Sequence, residues 1–158
     1  MMSNIHIRPM HLDDLPTVLD IEYAAYAQPW THGIFEQCLQ VGYPAWVIVK
    51  DETIVGYCVV SVSILIAEMH ILNVCVSPAA QYSGLGAQLV QHSLDAARQL
   101  QIQRVFLEVR VSHERAIRLY QRFGFTAIGL RKDYYEDYRK GREDALVMAL
   151  DCLPAERA

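Results

Sequence analysis

An α/β fold, with a mixed central β-sheet flanked by helices in a single domain, is predicted by two features of this 158-residue chain. The first is the order of its periodic segments, β-α-α-β-β-β-α-β-α-β-β, in which runs of period two alternate with runs of helical period. The second is the stretch 73–86, where an apolar, β-branched strand passes Pro78, turns through Gln81 to Gly86 and enters a long helix. Strands 68–76 and 104–109 are then joined through that helix and should lie parallel, by a right-handed crossover. Loops at the carboxyl ends of such strands are the usual ligand sites of α/β sheets. The length suits one domain with a substantial core, over residues 1–153.

The elements follow in order. Ile5 and Ile7 alternate with His6 and Arg8 ahead of Pro9, which reads as a short first strand. Asp13 or Asp14 can cap a helix carrying Leu15, Val18, Leu19 and Tyr23, with Pro16 tolerated in its first turn. Gln28-Pro29-Trp30 breaks that helix, and Thr31 caps a second, short one that turns Phe35, Cys38 and Leu39 inward. Strands 45–49 and 54–63 flank Asp51-Glu52 as a hairpin. Strand 68–76 leads into the glycine loop, and the helix after it runs to about Leu100 with Leu85, Leu89, Val90, Leu94 and Ala97 at helical spacing. Segment 104–109 is a buried strand ending on Glu108; 114–123 is a helix with Gly124 at its left-handed C-terminal cap. Strands 125–130 and 145–150 bracket a polar, tyrosine-rich loop.

Composition narrows the function. A hydrophobic fraction of 53% and a charged fraction of 20% describe an ordinary globular chain. A net charge of −4 argues against broad nucleic-acid or anionic-membrane binding. The first residues carry Arg8, Asp13 and Asp14 without an apolar core, so no signal peptide is read there. The longest apolar run, 59–67, is too short to span a bilayer. Cys38, Cys58, Cys75 and Cys152 are scattered and read as reduced core thiols of a cytoplasmic protein. The six histidines show no metal spacing, so no metal site is expected.

The glycine loop carries the chemistry. A loop at a helix start presents unpaired backbone N–H groups and roughly half a positive charge from the dipole, which suits pyrophosphate. Gly84 and Gly86 lack a Cβ and let a ligand approach the backbone. By itself a Gly-x-Gly here reads equally well as a helix start packed tightly on a strand. Gly-Lys-Ser/Thr and the third glycine of a dinucleotide loop are both missing.

The pattern Gln81-x-x-Gly84-x-Gly86 resembles the acyl-coenzyme A loop of the GNAT superfamily of N-acetyltransferases. Two further blocks are similar to that family: Leu107-Glu108-Val109-Arg110 with 116–120 and Phe123-Gly124-Phe125, and Lys132-Asp133-Tyr134-Tyr135 with 141–145 and 148–150. The last, with Pro29-Trp30, looks like the bacterial ribosomal-protein-alanine N-acetyltransferases, and the resemblance covers nearly the whole chain. It implies acetyl-CoA as donor and a protein N-terminus as acceptor, with direct transfer. It places a general base at Glu108 and a general acid at Tyr120. Donor contacts fall on the backbone of Val74, Cys75 and Val76, and the phosphates on Tyr82, Ser83, Gly84, Leu85, Gly86 and Ala87. His113 stands where the family has a cofactor-contacting asparagine, and Trp30, Tyr134 and Tyr135 flank the acceptor. The chain departs from the family at Tyr82-Ser83, at His113, at Gln28 and at Glu136, the last two on the acceptor side.

The chemistry stands independently. An attacking amine must lose a proton as the tetrahedral intermediate forms, and a carboxylate within reach accepts it; a leaving thiolate gains from a phenol donating to sulfur. Taken singly, Glu108 is also a solvated or arginine-paired strand end, and Tyr120 also fills a helical face with Ile117 and Phe123. Glu68 and His70, on the preceding strand, are the reserve bases. Cys75, on an apolar strand without a base, reads as packing. Near pH 7.5 an α-amine of pKa about 8 is roughly a quarter neutral, against about one part in a thousand for lysine, so one carboxylate suffices for the α-amine. The alternatives are a polyamine or antibiotic acceptor and a non-catalytic acyl-CoA-binding regulator.

Overall fold

The structure is a computed structural model that describes residues 4–81, 83–137 and 141–152, with side chains at all of these except 136, 137 and 141. It forms two compact units, Met1–Val62 with Ile71–Ala96 and Ser63–His70 with Ala97–Ala158. The predicted class holds: the described residues form an α/β arrangement of seven strands and four helices.

In the first unit the strand order is β1 (Ile5–Pro9), β2 (Ala45–Lys50), β3 (Thr53–Ser63), β4 (Glu68–Val76). β1 pairs antiparallel with β2, Ile7 opposite Ile48, and β2 antiparallel with β3, Val47 opposite Tyr57. The expected hairpin turns at Asp51 and Glu52, whose φ of 48° and 69° are the left-handed pair that a two-residue turn requires. Helix α1 (Leu15–Ala25) buries Leu15, Val18 and Ile21, and α2 (His32–Gln40) buries Phe35 and Cys38, in one core with Val47, Val49, Tyr57 and Val59. Thr31 Oγ1 caps α2, accepting from the Ile34 N–H at 3.3 Å.

Two expectations for α1 are corrected. Neither aspartate caps it through its side chain: Asp14 stands at the N-cap, but its carboxylate accepts from both terminal nitrogens of Arg8 at 2.8 and 2.9 Å and from the His11 N–H at 2.8 Å. A bidentate arginine outcompetes a single backbone amide. Tyr23 is 54% exposed, while its neighbour Glu22 is 1% exposed.

In the second unit the order is β4, β5 (Arg104–Arg110), β7 (Gly141–Asp151), β6 (Thr126–Asp137). β5 runs antiparallel to β7 with Glu108 opposite Val147. Helix α4 (Glu114–Arg122) ends at Gly124, φ 100°, as its position predicts. The tyrosine-rich loop is corrected to strand. Pairing of β6 with β7 continues through Tyr135 opposite Glu143 to Asp137 opposite Gly141, across an irregularity between Arg131 and Tyr135. Asp133 absorbs that irregularity with φ 53°, its N–H bonded to Asp144 Oδ1 at 2.9 Å. Polar strands of this kind lack the apolar alternation that marks a strand in sequence.

Candidate active site

The residues expected to contact the donor from 74 to 87 lie in the first unit. α3 (Leu85–Gln99) begins inside the predicted loop, which corrects its end from Gly86 to Gly84, and it buries Leu85, Leu89, Val90 and Leu94. A short 3-10 turn, Pro78–Ala80, closes β4 through the Ala80 N–H to Ser77 O bond of 2.8 Å. Gln81 donates from Nε2 to Val76 O at 3.3 Å, and Ser83 Oγ to Ala80 O at 2.5 Å, so the loop is tied to its own strand. Gly84 has φ 79°, and a Cβ built on it meets nothing within 4 Å. Open space beside a left-handed glycine at a helix start, where the first N–H groups have no intrahelical acceptor, suits a pyrophosphate. Tyr82 lies outside the described residues.

β4 exposes and buries alternate residues, Val74 and Val76 half-buried and Cys75 buried. The Val74 carbonyl accepts from Tyr26 OH at 3.0 Å. Gly56 on β3 lies against the Cys75 carbonyl so closely that a Cβ would meet that oxygen at 2.7 Å. Burial, with Glu22 adding to it, pushes the Cys75 thiol up to about 11 against the pull of Tyr57 and Tyr26, so the sulfur stays protonated and unreactive. Trp30, half-buried, meets Phe35 edge-on at 5.1 Å between ring centroids.

The residues expected to act as base and acid lie in the second unit. Glu108, side chain 12% exposed, shares a hydrogen bond of 2.5 Å between its Oε2 and His70 Nε2, and its Oε1 lies 3.8 Å from Arg131 Nε. His70 and Glu108 were separate candidates in sequence; the fold makes them a pair. Glu68 opens β4 half-buried. Tyr120 is half-buried on α4 with Ile117 and Phe123, its ring 5.8 Å from that of Phe125.

On β6 the rings of Tyr134 and Tyr135 meet at 5.0 Å. Arg131 lies over Tyr134 at 5.1 Å and Arg110 over Tyr135 at 4.5 Å. Arg110 is itself held by Glu143 at 3.2 Å, whose other oxygen takes the Ser112 N–H at 2.9 Å. Burial first, then Tyr134 and Glu108, pushes the Tyr135 phenol up to about 12, so it stays a donor at neutral pH. His113 opens α4 and is held below the usual imidazole range, by desolvation first and then by Arg115 and Arg110, with Glu143 opposing. Its ring is therefore neutral near pH 7 and can accept as well as donate.

Sequence reasoning missed Glu22, Gly56, Tyr26 and Arg131. Only Gly56, a glycine inside a strand, left a signal, since such a glycine often marks close backbone approach. Among the described residues no helix is long and apolar enough to cross a membrane, and no three His, Cys, Asp or Glu are grouped to hold a metal.

A strand that runs through a glycine loop into a helix, followed by a carboxylate on the next strand and a phenol on the next helix, is the layout of an acyl-coenzyme A transferase. The chain belongs to the acetyltransferase (GNAT) family, whose pattern matches residues 8–125, and it is an acetyl-CoA-dependent N-acetyltransferase. Among its relatives are the [ribosomal protein bS18]-alanine N-acetyltransferases of Escherichia coli (strain K12), 32% identical over 91% of this chain and 95% of that one, and of Salmonella typhimurium (strain LT2), 33% identical over 87% and 90%. The crystal structure of the ribosomal-protein-S18-alanine N-acetyltransferase from Escherichia coli superposes with a TM-score of 0.90, at 31% identity and 97% coverage of both chains.

Proposed function

We propose that residues 1–153 form one catalytic domain that acetylates the N-terminal α-amine of a ribosomal protein beginning with alanine, in the cytoplasm. The observation that carries this is the Glu108 carboxylate, hydrogen-bonded by His70 at 2.5 Å. It is a single proton acceptor, sufficient for an amine that is already about a quarter neutral. The names of the relatives point to the same acceptor.

Acetyl-CoA supplies an activated thioester. The backbone of Val74, Cys75 and Val76 receives its acyl end, and the loop 82–87 its phosphates, with neutral His113 as a further contact. Trp30, Tyr134 and Tyr135 are the residues read as contacting the neutral amine. As the carbon–nitrogen bond forms, the proton leaving nitrogen passes to Glu108, with His70 holding the carboxylate in place. As the carbon–sulfur bond breaks, Tyr120 donates its proton to the sulfur.

Coenzyme A release tests the reading against N-terminal peptides beginning with alanine, internal-lysine peptides and small amines. Turnover of the alanine peptides is expected. Turnover only with a polyamine or an antibiotic makes the acceptor a small molecule, and binding of acetyl-CoA without any turnover makes the chain a regulator.

A further inference from the structure

Glu22 is the most deeply buried carboxyl group among the described residues, 1% exposed, on a helix face otherwise packed with Val18 and Ile21. Its Oε1 accepts from Tyr57 OH at 2.5 Å and from Asn73 Nδ2 at 3.0 Å. Its Oε2 accepts from the backbone N–H of Trp30 at 2.8 Å. Three donors from three separate elements, β3, β4 and the 26–31 connection, thus converge on one side chain. Burial pushes the Tyr57 phenol far above its ordinary range, so it remains a donor.

A buried carboxyl group is costly, and apolar side chains of similar volume would hold α1 to the strands at lower cost. What apolar packing cannot supply is a directed acceptor for the Trp30 N–H, which lies between the two helices. The Trp30 ring is referenced to the same centre: it meets Phe35, and Phe35 meets Tyr57 edge-on at 5.7 Å. Tyr26, in the same connection, is tied to the Val74 carbonyl of β4.

We propose that Glu22 is a positioning residue for the acceptor, clamping the backbone of Trp30 to β3 and β4 so that the indole stands at a fixed place relative to the strand that receives the acetyl group. The proposal rests on the reading of Trp30 as an acceptor wall and goes beyond it by naming what sets that wall.

Glu22→Gln separates positioning from packing. The amide oxygen keeps the Tyr57 and Asn73 donors, and the amide NH2 then faces the Trp30 N–H, donor against donor. With Trp46→Phe as background, Trp30 is the sole tryptophan, because the chain has two. We expect its emission to move to the red and its acrylamide quenching to rise about twofold, while Tyr57→Phe, which spares the Trp30 bond, leaves both near the parent values. In the Trp46 enzyme, KM for the accepted amine should rise about tenfold with kcat and acetyl-CoA affinity within about threefold, the signature of lost acceptor binding.

A lower melting temperature with unchanged quenching and unchanged KM overturns the proposal, since Glu22 is then a structural residue only. Should the variant fail to fold, hydrogen exchange in the unsubstituted protein decides: the Trp30 amide is expected to exchange at least about a hundredfold more slowly than a free peptide amide. Exchange at the peptide rate overturns it. Fluorescence and exchange need no turnover, and KM is read on whichever amine the panel identifies, so an error in the acceptor and an error in the clamp give different results.

Discussion

Gly56→Ala probes a close backbone approach to β4, the strand proposed to receive the donor. The added Cβ would lie 2.7 Å from the Cys75 carbonyl oxygen, 3.0 Å from Ile48 Cγ2 and 3.4 Å from Leu89 Cδ1. The two side-chain atoms can rotate away. The carbonyl cannot, and ordinary contact requires β4 to shift by about 0.7 Å at Cys75. Alanine recovers about 0.5–1 kcal/mol of backbone entropy over glycine, and overpacking costs about 1–3 kcal/mol. Because the clash is with backbone, the upper part of that range, about 2–3 kcal/mol, applies and wins, for a net loss of about 1–2 kcal/mol. In a chain of this length that lowers Tm by about 2–8 °C. The shifted atoms belong to the 74–76 backbone proposed to receive the acyl end, so the acetyl-CoA Kd should rise by about three- to tenfold. Circular-dichroism melting and calorimetric titration read the two effects. An unchanged or raised Tm refutes the steric reasoning, and a lowered Tm with unchanged Kd removes Cys75 from the donor site.

Three further results are expected. Glu108→Gln lowers kcat/KM by about 10²–10⁴, and the loss shrinks as pH rises and free amine and hydroxide replace the base, whereas the loss in Tyr120→Phe persists; pH–rate profiles under saturating acetyl-CoA separate the two. Gly84→Val abolishes acetyl-CoA binding in a titration, because φ 79° strains a β-branched residue and its side chain fills the open space beside the loop. Arg8→Met costs about 1–2 kcal/mol near neutral pH through the partly exposed pair with Asp14. Arg8 holds that carboxyl below its usual range, so the stabilisation is present above the unfolded value near 3.9 and is lost as pH falls through the folded one. The Tm gap between parent and variant should therefore close in acid, and a constant gap would show that the ion pair is not its cause.

What the sequence made legible was whatever depends on neighbours along the chain. The glycine loop, its strand and its helix are local: the strand ends at Val76 as expected, while the helix begins two residues early, at Leu85, and takes in Gly86. The Asp51-Glu52 turn and the Gly124 stop are local too. Glu22 was not legible because its donors stand at 57 and 73, and a carboxylate between apolar helix positions otherwise reads as solvated. The pairing of His70 with Glu108 spans 38 positions and appears only once β4 and β5 are neighbours. Tyr134 and Tyr135 read as loop in the sequence because their strand pairs polar residues, with Arg142 Nε donating to Asp133 O at 2.6 Å.

The burial of Cys75 dictates how the two substrates share the protein. With that sulfur protonated and enclosed, no acetyl group can be parked on it while spent coenzyme departs. The proposed direct transfer then keeps donor and acceptor on the chain together, and steady-state velocities are expected to obey a ternary-complex law in place of a ping-pong one. The same requirement makes a molecule that joins an amine to coenzyme A in one covalent body a privileged inhibitor, because its second half binds from an effective concentration and not from bulk solution.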